Sequence, residues 1–172
     1  MIRKECIEKY GQFDPVLRNV DADGDLWMRY SLLKAKLITV DGAPLFYRIH
    51  PEQTSSNYFR MIYGCELTRL RILLILDKRG ILKEHVGYFI PLLPVFIWLK
   101  LHIQWPLTTR MLCNFILKEY KNKLLNIFIK KVIYQSERRI HDLGIDEVKF
   151  YDDLKKISDS SVFKDFETRL LR

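Results

Sequence analysis

The sequence predicts an α+β protein that is mostly helical, and three observations predict it. Apolar residues recur at intervals of three and four along residues 58–79 and again along 107–140, the period of a helix with one buried face. Two short stretches, Leu37–Gly42 and Leu45–Ile49, are instead rich in β-branched and aromatic residues and end in turn signals, as short strands do. Gly and Pro are sparse, seven and six in 172 residues, and fall at the edges of the periodic segments rather than in a low-complexity tract.

In chain order, Ile2, Cys6 and Tyr10 stand at every fourth position and Gly11 follows them, so residues 2–10 read as a helix with a glycine stop. A turn leads to Asp21-Ala-Asp-Gly-Asp25, and Leu26–Ala35 reads as a helix entered from that acidic loop. Asp23 and Asp25 then lie near a helix N-terminus, where the helix dipole favours anions. The two strands follow, ending at His50-Pro51. Tyr58–Arg79 is a helix closed by Gly80. Leu107–Ile140 reads as one long basic amphipathic helix, with Leu117, Leu124, Leu125, Phe128 and Val132 set among Lys118, Lys121, Lys123, Lys130, Lys131, Arg138 and Arg139. The tail from His141 is acidic and reads as a loosely attached last helix. These divisions give a first segment at 1–57, a basic, aromatic-rich helical region at 58–140 and an acidic helical tail at 141–172.

Composition narrows the class. A 48% apolar and 29% charged chain suits a packed core, which argues against disorder. Cys6, Cys65 and Cys113 are far apart and form no CxxC pair, so neither a zinc site nor a disulfide framework is indicated, and a reducing compartment follows. No apolar stretch stands behind the charged N-terminus, so a secretory signal is not expected. The net charge of +8 is concentrated in the middle, where residues 66–140 hold fourteen Lys and Arg against five Asp and Glu.

That middle also contains the longest apolar run, Val86–Leu99, carrying Pro91 and Pro94 and bounded by Lys83 and Lys100. A spanning helix needs about 20 apolar residues, so the run fits an interfacial or re-entrant segment, or a proline-broken core helix, better than a crossing. Phe89, Trp98 and Trp105 are suited to the headgroup level and the cations to anionic lipid. An anionic membrane surface is therefore an expected partner. Nucleic acid is not, because no recognition motif accompanies the basic charge.

The candidate for chemistry is the acidic cluster. Carboxylates at alternate positions repel one another, and they are tolerated where a cation, a substrate hydroxyl or backbone donors are close; a solvated turn that caps a helix is the alternative. A calcium loop beginning at Asp21 would need Gly at its sixth position and Glu at its twelfth, whereas Leu26 and Leu32 stand there. Asp21 and Asp23 have the alternate spacing of a metal-chelating pair, but the residues that follow match a different block.

Three blocks, Gly11-Gln-Phe-Asp14, Asp23-Gly-Asp-Leu-Trp-Met-Arg29 and Ala43-Pro-Leu-Phe-Tyr-Arg-Ile-His50, occur in order and together resemble the acceptor-side half of family 2 inverting glycosyltransferases of GT-A fold. In that family a Gly-Gly-Phe-Asp turn precedes a Glu-Asp-x-Asp-Leu-Trp-x-Arg helix start, and a Tyr-Arg-x-His loop follows. The resemblance covers residues 1–57 and implies a partial GT-A segment of helices plus a short two-stranded element, followed by a basic helical extension. It makes Asp23 the catalytic base, Asp25, Trp27 and Asp14 acceptor-binding or supporting residues, and His50 with Arg48 the residues nearest the diphosphate and its metal. Gln12 and Ala22 depart from the pattern, replacing its second glycine and the acid before the base.

The resemblance further implies a divalent metal, manganese or magnesium, held with the nucleotide-sugar, and a glycan or lipid-linked acceptor of surface polysaccharide synthesis. It places the protein in the cytoplasm, peripheral to the inner membrane. The family's nucleotide-binding half precedes these blocks and is expected to be missing here, so a partner chain supplying it is an expected partner and the isolated chain is expected to be inactive or weakly active. The alternative from the residues themselves is a non-enzymatic, membrane-surface or partner-binding helical module.

Overall fold

A computed structural model describes residues 2–17, 21–36, 38, 41–42, 53, 57–87 and 104–170. The described residues form helices α1 (Lys4–Tyr10), α2 (Ala22–Leu32), α3 (Tyr58–Lys78), α4 (Leu82–Gly87), α5 (Pro106–Glu119), α6 (Lys123–Asp142), α7 (Glu147–Ser158) and α8 (Ser161–Arg169), with a short 3-10 turn at Pro15–Leu17. Among them there is no strand, which corrects the expected α+β class to an all-helical one. Of the two expected strands, only Ile38, Asp41 and Gly42 fall among the described residues, and none of these is extended in a sheet; the remainder, Leu45–Ile49 included, lies outside them.

α3 is the centre of the molecule, packing against α2, α4, α5 and α7. Its 21 residues present buried side chains to two cores at once. Ile72, Ile75 and Leu76 join Leu82, Cys113, Ile116, Ile129, Val132, Phe163 and Phe166 in one. Leu67 and Leu70 join Leu17, Leu107, Ile140, Ile145, Phe150, Leu154 and Ile157 in the other. Burial in the first core raises the Cys113 thiol pKa to about 12, because an apolar surround penalises the thiolate.

The predicted boundaries of α1 and α3 hold to within two residues, and Gly11 and Gly80 stop them as expected, each at positive φ. α2 starts four residues before its predicted start, so Asp23 and Asp25 lie inside its first turn rather than in a loop before it. Residues 107–140 are not one helix. The chain breaks at Tyr120, which is extended at φ −120°, and restarts where the Asn122 side chain accepts the Leu125 amide at 3.0 Å. A three-residue connection folds α6 back on α5. Cys113 and Ile116 thereby share a core with Ile129 and Val132. The acidic tail is two helices, not one loose one: Asp146 and Ser160 cap α7 and α8, and Phe150, Phe163 and Phe166 are buried.

Among the described residues no helix is long and apolar enough to cross a membrane. Most of the apolar run at 86–99 lies outside them.

Candidate active site on an ion-paired frame

The first two of the three sequence blocks fold onto one another through buried charge. Asp25, in the first turn of α2, accepts from Arg29 Nε one turn later at 2.8 Å. Its other oxygen accepts from Arg71 Nε of α3 at 3.1 Å and also meets Arg71 Nη2. Arg71 Nη1 donates to Asp14 at 2.9 Å and to the Ile157 carbonyl at 2.9 Å. Asp14 additionally accepts from Ser160 Oγ at 2.6 Å and from the Val16 amide at 3.1 Å. Two carboxylates and two guanidiniums, all with side chains wholly shielded from solvent, therefore neutralise one another. The guanidinium of Arg71 also stacks on Phe163, 4.5 Å from the ring centroid.

The remaining contacts fix the Gly11 turn against α2. Arg29 Nη2 donates to the Gln12 carbonyl at 2.9 Å, and the Tyr30 hydroxyl to the Gly11 carbonyl at 2.8 Å. Burial raises the Tyr30 phenol above its ordinary range, which keeps it a donor. Asp21, just before α2, has φ 31° and uses its carboxylate not as a cap but as a tether, accepting from Thr68 Oγ1 of α3 at 2.7 Å and lying 3.7 Å from Arg69. Gly24 leaves room for this carboxylate: a Cβ there would stand 2.4 Å from an Asp21 carboxylate oxygen, so a larger residue displaces the Asp21 side chain.

With Asp14, Asp21 and Asp25 so engaged, Asp23 is the exception. It is exposed on the first turn of α2 and has no ionic or hydrogen-bonding partner among the described residues. Trp27 follows four positions later, hence on the same helical face, and is 41% exposed with its ring edge-on to Tyr30 at 6.1 Å between centroids. The site is thus a free carboxylate and an accessible aromatic ring on a helix held in place by buried Asp25, Leu26, Arg29 and Tyr30. Such an arrangement can take a proton from a bound hydroxyl and offer a flat apolar surface to a sugar ring.

Of the sequence-predicted residues, Asp14 and Asp25 enter the frame, Asp23 and Trp27 share the exposed face, and Arg48 and His50 lie outside the described residues. Sequence reasoning missed Arg71 and Ser160. The signal for Arg71 was its place between Leu70 and Ile72 within an apolar helical pattern: a cation there needs a buried carboxylate. Among the described residues no group of three or more acids, histidines or cysteines is placed to hold a metal, and Asp14 and Asp25 already serve guanidiniums.

A third buried acid, Glu66, organises a different contact of α3. Glu66 accepts from the Leu107 and Thr108 amides at 2.7 and 2.9 Å and from the Thr108 hydroxyl, capping α5 from a neighbouring helix where Trp105 supplies no cap of its own. Burial raises its carboxyl pKa to about 7, the three donors offsetting part of that penalty.

Searches of known protein families, of curated proteins and of solved structures find no match to this chain.

Proposed function

We propose that this chain carries the acceptor side of an inverting glycosyltransferase active site resembling family 2, with Asp23 as the base. The observation that supports the reading is selective engagement: the frame ties up every other carboxylate of the first two blocks and leaves Asp23 unpaired beside Trp27 on one exposed helical face. In this proposal Asp23 removes the acceptor hydroxyl's proton as that oxygen attacks the anomeric carbon of the donor sugar, opposite the departing nucleoside diphosphate. Trp27 packs on a ring of a glycan or lipid-linked acceptor and orients the hydroxyl.

The frame contributes rigidity. A general base has to stay within hydrogen-bond reach of the proton it takes, and a small displacement costs rate steeply. Arg71 joins α2, the Gly11 turn and the end of α7 by direct contacts, so the helix that carries Asp23 is held from three directions. The nucleotide-sugar, its divalent metal, and the Arg48 and His50 that the resemblance places near the diphosphate belong to this proposal through the resemblance alone. A nucleotide-binding half contributed by other residues or by a partner chain completes it, and surface polysaccharide synthesis at the cytoplasmic face of a membrane is the corresponding setting.

The test is acceptor recognition by the isolated chain, which does not require a donor site. On an array of oligosaccharides and lipid-linked saccharides the chain is expected to bind a subset. Trp27→Ala should weaken that binding by about tenfold or more, and Asp23→Asn by less than about threefold. Absence of binding to every saccharide, or equal binding by Trp27→Ala, overturns the proposal.

A further inference from the structure

α6 packs by one face only. Ile129, Val132, Ser136 and Ile140 are buried against the rest of the molecule. On the opposite face Leu124, Ile127 and Tyr134 are 79%, 62% and 67% exposed, among the most exposed large apolar side chains described. A soluble surface gains nothing from three such residues in register, and single scattered ones would need no explanation.

The charges around them are arranged, not scattered. At about 3.6 residues per turn, Leu124, Ile127 and Tyr134 share an outward arc of roughly 120° with four cations: Lys131 and Arg138 fall between Leu124 and Ile127 around the helix, and Lys123 and Lys130 lie beyond Tyr134 on one edge. None of these four cations, nor Lys121 beside them, is paired with an acid among the described residues. Glu137, at the edge of the arc, is the acid on this part of the helix. Lys121, Lys123 and Lys130 also line, with Asn126 and Ile127, a shallow cavity of about 360 Å³.

From this placement we propose that the outward face of α6 docks the protein on an anionic phospholipid bilayer. Leu124, Ile127 and Tyr134 enter the boundary between headgroups and acyl chains while Lys123, Lys130, Lys131 and Arg138 reach along the same face to lipid phosphates. Exposed apolar side chains interleaved with and bordered by long cations on one outward face suit a helix lying in the plane of an interface, where the cations extend their charged ends to the headgroup level. The break at Tyr120–Asn122 matters here. It ends α5 and lets α6 turn its cationic face outward while its own apolar face completes the core. The inference does not rest on the glycosyltransferase reading, since it uses neither Asp23 nor Trp27.

The experiment is vesicle flotation of the full chain with pure phosphatidylcholine and with phosphatidylcholine containing about one third phosphatidylglycerol. Each cation near an anionic surface raises partitioning about fivefold. Wild type should therefore bind the anionic vesicles at least about a hundredfold more strongly than neutral ones and lose that binding in high salt. Replacing Lys123, Lys130, Lys131 and Arg138 together by Gln should abolish the preference. Replacing Leu124, Ile127 and Tyr134 together by Ala should weaken binding about tenfold or more while leaving the helical circular dichroism unchanged, because all three are exposed. Equal binding to both lipids, no binding, or wild-type binding by either multiple variant overturns the proposal. So does lipid-free dimerisation by wild type that the Ala variant loses without any vesicle binding, which would assign the face to a second copy.

Discussion

Replacing Arg71 by Met removes the residue that joins Asp14 to Asp25 in the buried frame. Its side chain is fully shielded, and it donates to Asp25 at 3.1 Å, to Asp14 at 2.9 Å and to the Ile157 carbonyl at 2.9 Å. After the change Asp14 retains Ser160 Oγ and the Val16 amide, and Asp25 retains Arg29, but the frame holds two carboxylates against one guanidinium. A buried charge that loses its partner costs about 3–5 kcal/mol, and Met preserves most of the aliphatic packing, so little of that loss is a cavity. For a chain of this length, 172 residues, each kcal/mol shifts the melting temperature by about 2–4 °C, giving a fall of roughly 6–20 °C. Urea titration followed by circular dichroism at pH 7 reads the free energy directly, with an unchanged slope expected. Arg71→Lys should fall between wild type and Arg71→Met, because an ammonium keeps the charge but lacks the planar fork that reaches both acids. A loss below about 1 kcal/mol for Arg71→Met would refute the claim that this network holds α2 to α3.

Glu66 predicts a pH dependence. Its folded-state carboxyl titrates near 7 against an ordinary 4.5, so between those values the folded protein binds more protons than the unfolded. This contribution is fully present below about pH 4.5 and is lost as pH rises through 7, by at most about 3 kcal/mol. Glu66→Gln should flatten the melting temperature between pH 5 and 8, and an unchanged slope in the variant would show that another group is responsible. Gly24→Ala, which in an open helix would stabilise by up to about 1 kcal/mol, should here destabilise by about 1–2 kcal/mol, because the new methyl displaces Asp21 from Thr68. Thermal melts that show Gly24→Ala more stable than wild type contradict the close approach. Asn122→Ala should cost about 1 kcal/mol in a denaturant titration by removing the cap of α6; a change indistinguishable from zero would mean that packing alone sets the break.

The helices with a clear apolar period, α1 and α3, were legible because period, cap and stop residues agreed. The break between α5 and α6 was not, since Tyr120-Lys-Asn122 contains neither Gly nor Pro and the apolar spacing runs through it; the chain turns there because two amphipathic faces bury one another. The acidic tail was underestimated for a related reason. Its surface charges dominate the composition, while Phe150, Phe163 and Phe166 carry the packing. At the site, the motif singled out Asp14, Asp23, Asp25 and Trp27, but not which of them the fold buries in ion pairs and which it leaves exposed. Which carboxylate stays free depends on Arg71, 46 positions from Asp25, and on Ser160, 146 positions from Asp14. Such long-range ion pairing leaves no local sequence signature beyond a charge inside an apolar pattern.

The account stands most directly on the rate of sugar transfer by Asp23→Asn, measured with the chain joined to a nucleotide-binding half and supplied with donor, divalent metal and acceptor. Loss of a general base predicts a fall in kcat of about 10²-fold or more with donor binding unchanged within about threefold. Transfer within about threefold of wild type, on a protein that remains folded, would contradict it.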